Sequence, residues 1–140
     1  MSENAEYVSL VGQKNDAEYR ASLCESRIEN YKYKIRRLER ARDSVRGLKD
    51  SFRDIQKQIK KLPDNGKQWK GATHTEFEKK IGDVTEQGDN YYRYSLDRVH
   101  DELNNEITRL QNECARQYGI LGEIYSTINS LATKIANFFN

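Results

Sequence analysis

Proline is nearly absent from this chain: the 140 residues contain one, together with two cysteines, one methionine and one tryptophan. Sandwiches and barrels of β-strands need frequent proline and glycine turns, so the sequence argues against both fold classes. Long apolar runs are also missing, and no stretch of about eighteen apolar residues predicts a membrane-spanning helix. The first ten residues contain neither a basic nor an apolar region, so no signal peptide is expected.

Charged side chains make up much of what is present. The chain is 33% charged and 36% hydrophobic, and its mean hydropathy is −1.00. So low an apolar share does not fill a compact globular core, but it suits long helices that each bury one stripe. The length fits one domain. We therefore expect a single all-α domain over residues 1–140.

Apolar residues of the first half recur every seven positions. The series is Leu10, Ala17, Cys24, Tyr31, Leu38, Val45, Phe52 and Ile59. Ile28 and Ile35 accompany it at plus four, whereas Leu48, Ile55 and Leu62 accompany it at plus three. This spacing predicts one helix over about residues 5–61, in which the apolar seam shifts near Ala41 and Arg42.

A turn and a second helix follow. Proline and an Asp-Asn-Gly run at residues 63–66 predict a turn over residues 62–72. A capping-box sequence then opens a helix over about residues 73–139, with a kink or break expected near Gly88. The residues predicted on its packed face are Phe77, Ile81, Val84, Leu96, Leu103, Leu110, Ile124, Leu131 and Phe138, flanked by Ile107, Cys114, Leu121, Ile128 and Ile135. Two long helices joined once predict an antiparallel hairpin.

The two helices carry opposite charge. Residues 27–61 hold thirteen Lys/Arg against five Asp/Glu, and residues 73–107 hold four against nine. An antiparallel pair places these segments side by side, so charge favours this register. Single exposed ion pairs contribute only about 0.2–1 kcal/mol, so the main stabilisation comes from the apolar seam.

A lone hairpin leaves several aromatic side chains without cover. Those off the predicted seam are Tyr33, Tyr92, Tyr94, Tyr118, Tyr125 and Phe139. Amphipathic surface of this kind predicts a four-helix bundle, completed by a second copy or by a partner with its own hairpin.

No catalytic or metal-binding motif is recognisable. His74 and His100 lie 26 residues apart with no ligand set around both, so we expect no metal site and no enzyme activity. Cys24 and Cys114 occupy seam positions in neighbouring layers, where a cross-helix disulfide is conceivable. Buried free thiols in a reducing cytosol are the favoured alternative.

The connector contains the most specific motif of the chain. Trp69 and Gly71 form a Trp-x-Gly turn, and Phe77 follows eight residues after Trp69. A tryptophan here can cap the end of the hairpin core, with Phe77 packed against it. The motif between two long helices resembles the WXG superfamily, the ESAT-six-like proteins of type VII secretion. The basic stretch from Tyr31 and the terminal Phe138-Phe139 pair make the chain similar to the YwqH-like branch.

This resemblance implies a non-enzymatic adaptor or targeting chaperone without a cofactor. Its partner would be the helical N-terminal domain of an LXG-domain toxin or another small helical hairpin, presented to the type VII secretion machinery. Trp69, Gly71 and Phe77 are then the recognition corner. Tyr118, Tyr125 and Phe138 are the candidate partner contacts.

The expected location is the cytoplasm, with export beside a partner as an alternative. No tyrosine has a carboxylate four residues on, as the Tyr-x-x-x-Asp/Glu export signal of the actinobacterial relatives requires. Two other functions stay open: a self-assembling homodimer or structural coiled coil, and a basic nucleic-acid binder. Because the acidic second helix balances the basic stretch, nucleic acid is not the expected partner.

Overall fold

The structure is a computed structural model that describes residues 2–65 and 72–140, and all its elements are helical. Helix α1 spans Ser2–Asn65, α2 spans Ala72–Tyr91, a π-helical turn spans Tyr92–Leu96 and α3 spans Asp97–Asn137. The predicted all-α fold is confirmed. Of the turn predicted over residues 62–72, residues 62–65 belong to α1 and residue 72 to α2, and residues 66–71 lie outside the described part of the chain.

Two compact units make up the chain, and both α1 and α3 contribute to each. Unit 1 comprises Met1–Arg36 and Thr108–Asn140, and unit 2 comprises Arg37–Ile107. Unit 1 pairs Tyr7 with Phe138 and Cys24 with Gln117. Unit 2 pairs Arg42 with Asn104 and Gln56 with Thr85. In each unit, rising residue numbers in α1 meet falling numbers in the second half, so the helices are antiparallel, as the hairpin predicts.

Unit 1 contains an apolar core built from predicted seam positions together with Ala21, which the prediction did not name. Its buried residues form a cluster of Ala21, Cys24, Ile28, Cys114 and Leu121, against which Tyr31, Ile35, Ile124 and Ile128 pack. Cys24 is 2% exposed, and its thiol donates to the backbone oxygen of Gln117 at 3.2 Å. The seven-residue series therefore identifies the packed face of both helices here.

The seam of unit 2 mixes apolar and polar side chains, whereas the prediction was an apolar seam. The members of the seven-residue series in this unit are half-buried as expected: Leu38, Val45, Phe52 and Ile59. The plus-four positions are also half-buried, but they carry the polar residues Arg42, Lys49 and Gln56. Leu48 and Ile55 are 59% and 51% exposed. The predicted shift near Ala41 and Arg42 is wrong, because α1 stays regular and its plus-four positions keep facing the other helix. The side chain of Leu62 lies outside the described residues.

The irregularity of the second half lies after Gly88 rather than at it. Helix α2 continues through Gly88 to Tyr91, and the π-helical turn follows. The half-buried residues Tyr92 and His100 lie eight positions apart instead of seven, and a π-helical turn absorbs one extra residue. Val84, predicted on the packed face of the second helix, is 50% exposed. Tyr92, predicted off the seam, lies in it.

Candidate functional site

The predicted recognition corner is described only in part. Trp69 and Gly71 lie outside the described residues, so their role stays a prediction from the sequence. Phe77 is half-buried on α2 in unit 2.

Tyr118 and Tyr125, two predicted partner contacts, lie along one edge of the unit 1 seam. They are 47% and 42% exposed. The Nζ atom of Lys32 lies 5.3 Å from the ring centroid of Tyr118, and a hydrogen bond to this tyrosine raises the pKa of Lys32. The hydroxyl of Tyr125 donates to the Glu25 carboxylate, and this bond raises the tyrosine pKa. Charged side chains of α1 thus already occupy the polar ends of both tyrosines.

Phe138, the third predicted contact, belongs to an aromatic cluster within unit 1. Its ring centroid lies 5.7 Å from that of Tyr7 and 5.0 Å from that of Phe139. Tyr7 also lies 5.2 Å from Phe139, which is 73% exposed. Phe138 itself is half-buried, so Phe139 presents more surface to a partner.

Both cysteines are buried free thiols in the unit 1 core. Among the described residues, no group of three or more His, Cys, Asp or Glu is placed to hold a metal ion.

Tyr92 is the centre of a cation–aromatic layer in unit 2. Its ring stacks on Phe52 with centroids 6.1 Å apart and planes at 12°, while Lys49 Nζ lies 5.3 Å from the Tyr92 centroid. Arg53 Nη2 donates to the tyrosine hydroxyl at 2.9 Å, and this bond raises the arginine pKa. Lys49 pairs with Asp97 across the helices, and the hydrogen bond to Asp97 raises the lysine pKa. Lys49 therefore occupies a seam position, and Arg53 lies beside the seam.

One side of the unit 2 seam is a polar groove. It is lined by Arg53, Gln56, Lys57, Lys60, Asp89 and Tyr92. Arg53, Lys60 and Asp89 each follow a seam residue directly in sequence. In an antiparallel helix pair, positions of this kind from both helices meet on the same side of the seam.

The opposite side of the unit 2 seam carries an apolar stripe. We define this stripe as Leu48, Ile55, Val84, Tyr91 and Val99, which are each between 43% and 59% exposed. Each member directly precedes a seam residue, so the same geometric rule places all five on the side away from the polar groove. Burial of these side chains against another protein would be favourable.

Uncharged residues accompany the two members of the apolar stripe on α1: Ser51 lies between Leu48 and Ile55, and the others extend the same face on either side. Ala41, Ser44, Ser51 and Gln58 share this helix face at spacings of three and four, and all four are exposed. In a chain that is 33% charged, six successive positions of one exposed face carry no charge. Exposed apolar patches of this kind mark protein-contact surfaces.

A family model described as YwqH-like matches residues 12–133, which is most of the chain. The chain belongs to the YwqH-like family. No curated protein and no solved structure matches it. The YwqH-like match includes the apolar stripe, Tyr118 and Tyr125, whereas Tyr7, Phe138 and Phe139 lie outside it. None of the described helices carries an apolar run long enough to span a bilayer.

Tyr91 and Val99, two members of the apolar stripe of this YwqH-like chain, were not predicted from the sequence. A signal was present, because Val84 and Tyr91 lie seven residues apart and Val99 follows after eight. The interval of eight contains the π-helical turn, which keeps Val99 in phase with the other two.

Proposed function

We propose that this chain is a non-enzymatic adaptor that binds the helical N-terminal domain of an LXG-type toxin and helps target the toxin for type VII secretion. Its membership of the YwqH-like family supports the proposal. The partner's helices would pack beside this chain's helices and complete a four-helix arrangement. The toxin domain would gain cover for its own apolar stripe.

The observation that carries the proposal is that unit 2 has polar side chains in its seam and apolar side chains outside it. Its seam includes Arg42, Lys49 and Gln56, while aliphatic side chains of the apolar stripe face outward. A helix pair that serves only its own fold gains most by burying its aliphatic residues in the seam. Aliphatic side chains turned outward fit a pair that packs against further helices.

The Trp-x-Gly corner is proposed as the part that the secretion machinery recognises. The support is the sequence motif of Trp69, Gly71 and Phe77. Trp69→Ala should weaken partner binding or export and leave the helical circular-dichroism signal largely intact. A lost helical signal without a selective binding or export defect would instead assign Trp69 a purely structural role.

The proposal predicts an LXG domain encoded beside this chain's gene, and its test is co-expression of the two proteins. Size-exclusion chromatography with light scattering should show a stable complex of fixed stoichiometry that neither protein forms alone. A chain that never joins the toxin domain would contradict the proposal. A stable homodimer that ignores the toxin domain would support the alternative of a self-assembling WXG-like protein.

A further inference from the structure

We propose that the apolar stripe of unit 2 is the face through which two copies of this chain form a homodimer. In that dimer, α1 of each copy packs against α2 and α3 of the other, with the two chains parallel. The inference goes beyond the proposed function, because it concerns the chain without a toxin domain. It assigns a face and an orientation to a second pair of helices.

Cross-helix contacts place the stripe residues of the two helices at matching heights along unit 2. Leu48 and Val99 each lie within two residues of a member of a cross-helix ion pair. Ile55 and Val84 each directly precede a residue joined by a cross-helix hydrogen bond. Each α1 member of the stripe therefore has a member from the second half of the chain beside it.

A two-fold axis parallel to the helices brings two such faces together in register. Rotation about this axis keeps every residue at its own height and exchanges the two helices, which is the geometry of a closed dimer. Leu48 would then lie against Val99 of the second copy, and Ile55 against its Val84 and Tyr91. A two-fold axis across the helices would instead lay α1 of one copy on α1 of the other.

Charged residues at the margins of the stripe distinguish between these two arrangements. The margin on α1 has three bases and one acid, namely Arg37, Arg40, Lys61 and Asp54. The margin on α2 and α3 has four acids and two bases, namely Glu76, Asp83, Glu102, Glu106, Lys80 and Arg98. The parallel dimer brings margins of opposite charge together, whereas α1 on α1 opposes two basic margins. The face is thus complementary to a second copy of itself.

The match is closest at the end of unit 2 that contains the hydrogen bond between Arg42 and Asn104. Arg40 lies two residues before that arginine, and Glu106 lies two residues after that asparagine. In the parallel dimer, Arg40 of each copy would therefore lie close to Glu102 and Glu106 of the other. The same contacts form twice, because the dimer is symmetric.

The face is large enough for a dimer. Along α1 it spans residues 37–61, which is about 36 Å of helix. With two helices side by side, each about 10 Å wide, one copy presents roughly 700 Å². Specific interfaces bury about 800 Å² per partner, so a measurable monomer–dimer equilibrium is expected.

Sedimentation equilibrium of the full-length chain alone measures the dissociation constant of the dimer. Ile55→Glu should raise this constant about tenfold or more, because the dimer would bury two carboxylates among apolar side chains. Tyr33→Glu is the matched control, because Tyr33 and Ile55 are both 51% exposed on α1 and Tyr33 lies outside the stripe. Ile55→Leu, which keeps the aliphatic surface, should associate like the wild type. Circular dichroism shows whether each variant keeps its fold.

Charge exchange between two variants tests the orientation. Arg40→Glu and Glu102→Arg should each weaken self-association about threefold or more at low salt, because each variant opposes like charges twice per dimer. An equal mixture of the two should recover most of this loss. In the mixed dimer, one contact is reversed in sign and the other is native. No weakening, or weakening without recovery in the mixture, would overturn the pairing of α1 with α2 and α3.

The remaining outcomes separate this inference from the proposed function. A chain that stays monomeric, a dimer that folded Ile55→Glu leaves intact, or an equal loss in Tyr33→Glu would overturn the inference alone. A monomeric chain that binds the LXG domain through Ile55 would show that the toxin domain covers the stripe instead. A dimer that never joins the toxin domain would overturn the proposed function and leave this inference standing.

Discussion

Two isoleucines of α1 that both belong to its apolar pattern, Ile28 and Ile55, differ in burial. Ile28 is 3% exposed in the unit 1 core, whereas Ile55 is 51% exposed on the apolar stripe. Both are isoleucines in the interior of the same helix, so helix propensity does not distinguish them. The difference arises from position relative to the seam: Ile28 lies four residues after a member of the seven-residue series, and Ile55 lies three residues after one.

Alanine substitutions at these two positions should therefore differ in stability. Ile28→Ala removes packed methyl groups and leaves a cavity, which should lower the free energy of unfolding by about 2–5 kcal/mol. Ile55→Ala removes groups that are half in water, so its cost should stay below about 1 kcal/mol. Urea unfolding of the dilute monomer, followed by circular dichroism, measures both. Equal losses at the two positions would contradict the burial difference.

The Lys49–Asp97 pair makes a stabilising contribution to the folded state that depends on pH. The hydrogen bond to Asp97 raises the pKa of Lys49 from its ordinary 10.5, so protonated lysine is favoured in the folded state. This contribution is fully present below pH 10.5 and is lost as the pH rises through the folded-state pKa.

Asp97→Asn should destabilise the protein by about 0.2–1 kcal/mol at pH 7, because the Asp97 side chain is partly exposed and the pair is screened by solvent. The difference from the wild type should shrink above pH 10.5. Urea titrations at neutral and alkaline pH test this. Asp83→Asn, an exposed position of α2, is the control, and the same pH dependence there would rule out the pair as its source.

At the scale of elements, the two glycines of α2 have opposite surroundings. A Cβ atom at Gly88 would lie 2.7 Å from Gln56 Nε2 and 3.0 Å from Phe52 Cζ, whereas one at Gly82 would have nothing within 4 Å. Gln56 Nε2 also donates to the backbone oxygen of Thr85 at 3.1 Å, so moving it breaks a cross-helix bond. Gly88 thus allows a close approach of α1, which explains a glycine inside a continuous helix.

Gly82→Ala should stabilise the protein by about 0.5–1 kcal/mol, because alanine has the higher helix propensity and space is free. Gly88→Ala should not give this gain, because Phe52 and Gln56 must move. Its free energy of unfolding should be about 1–3 kcal/mol lower than that of Gly82→Ala. Thermal or urea unfolding of both variants measures the difference. Equal stabilisation by the two substitutions would show that α1 and α2 pack less closely at Gly88.

Sequence pattern predicted the helices and the core of unit 1 but not the face used by α1 in unit 2. Around Ile28 and Ile35 only the plus-four positions are apolar, so the seam is unambiguous. Around Leu48 and Ile55 the plus-three positions are apolar and the plus-four positions are polar, so the pattern favours the wrong face. The π-helical turn was not predicted either. In the sequence, its added residue appears only as a shift in the spacing of apolar residues, and the prediction placed the irregularity at the nearby Gly88 instead.

At the scale of the whole molecule, the two units differ in how completely they are packed. Unit 1 contains eight of the nine buried hydrophobic residues among the described part of the chain, and Ile107 is the one in unit 2. Thr85 is buried in unit 2 as well, and Arg42 bonds Asn104 at 3.0 Å in its seam. A unit whose seam mixes polar and apolar contacts gains less from burial than one with an apolar core.

Hydrogen exchange should therefore be uneven along the free protein. Amides of residues 17–31 and 110–131 in unit 1 should exchange more than about tenfold slower than those of residues 42–60 and 77–100 in unit 2, because local opening costs less where few apolar contacts are lost. Exchange followed by mass spectrometry measures both sets. The protein is kept dilute enough to stay monomeric, because a second copy packed on the stripe would slow the unit 2 set. Uniform protection in the free protein would mean that the mixed seam holds unit 2 as firmly as the apolar core holds unit 1.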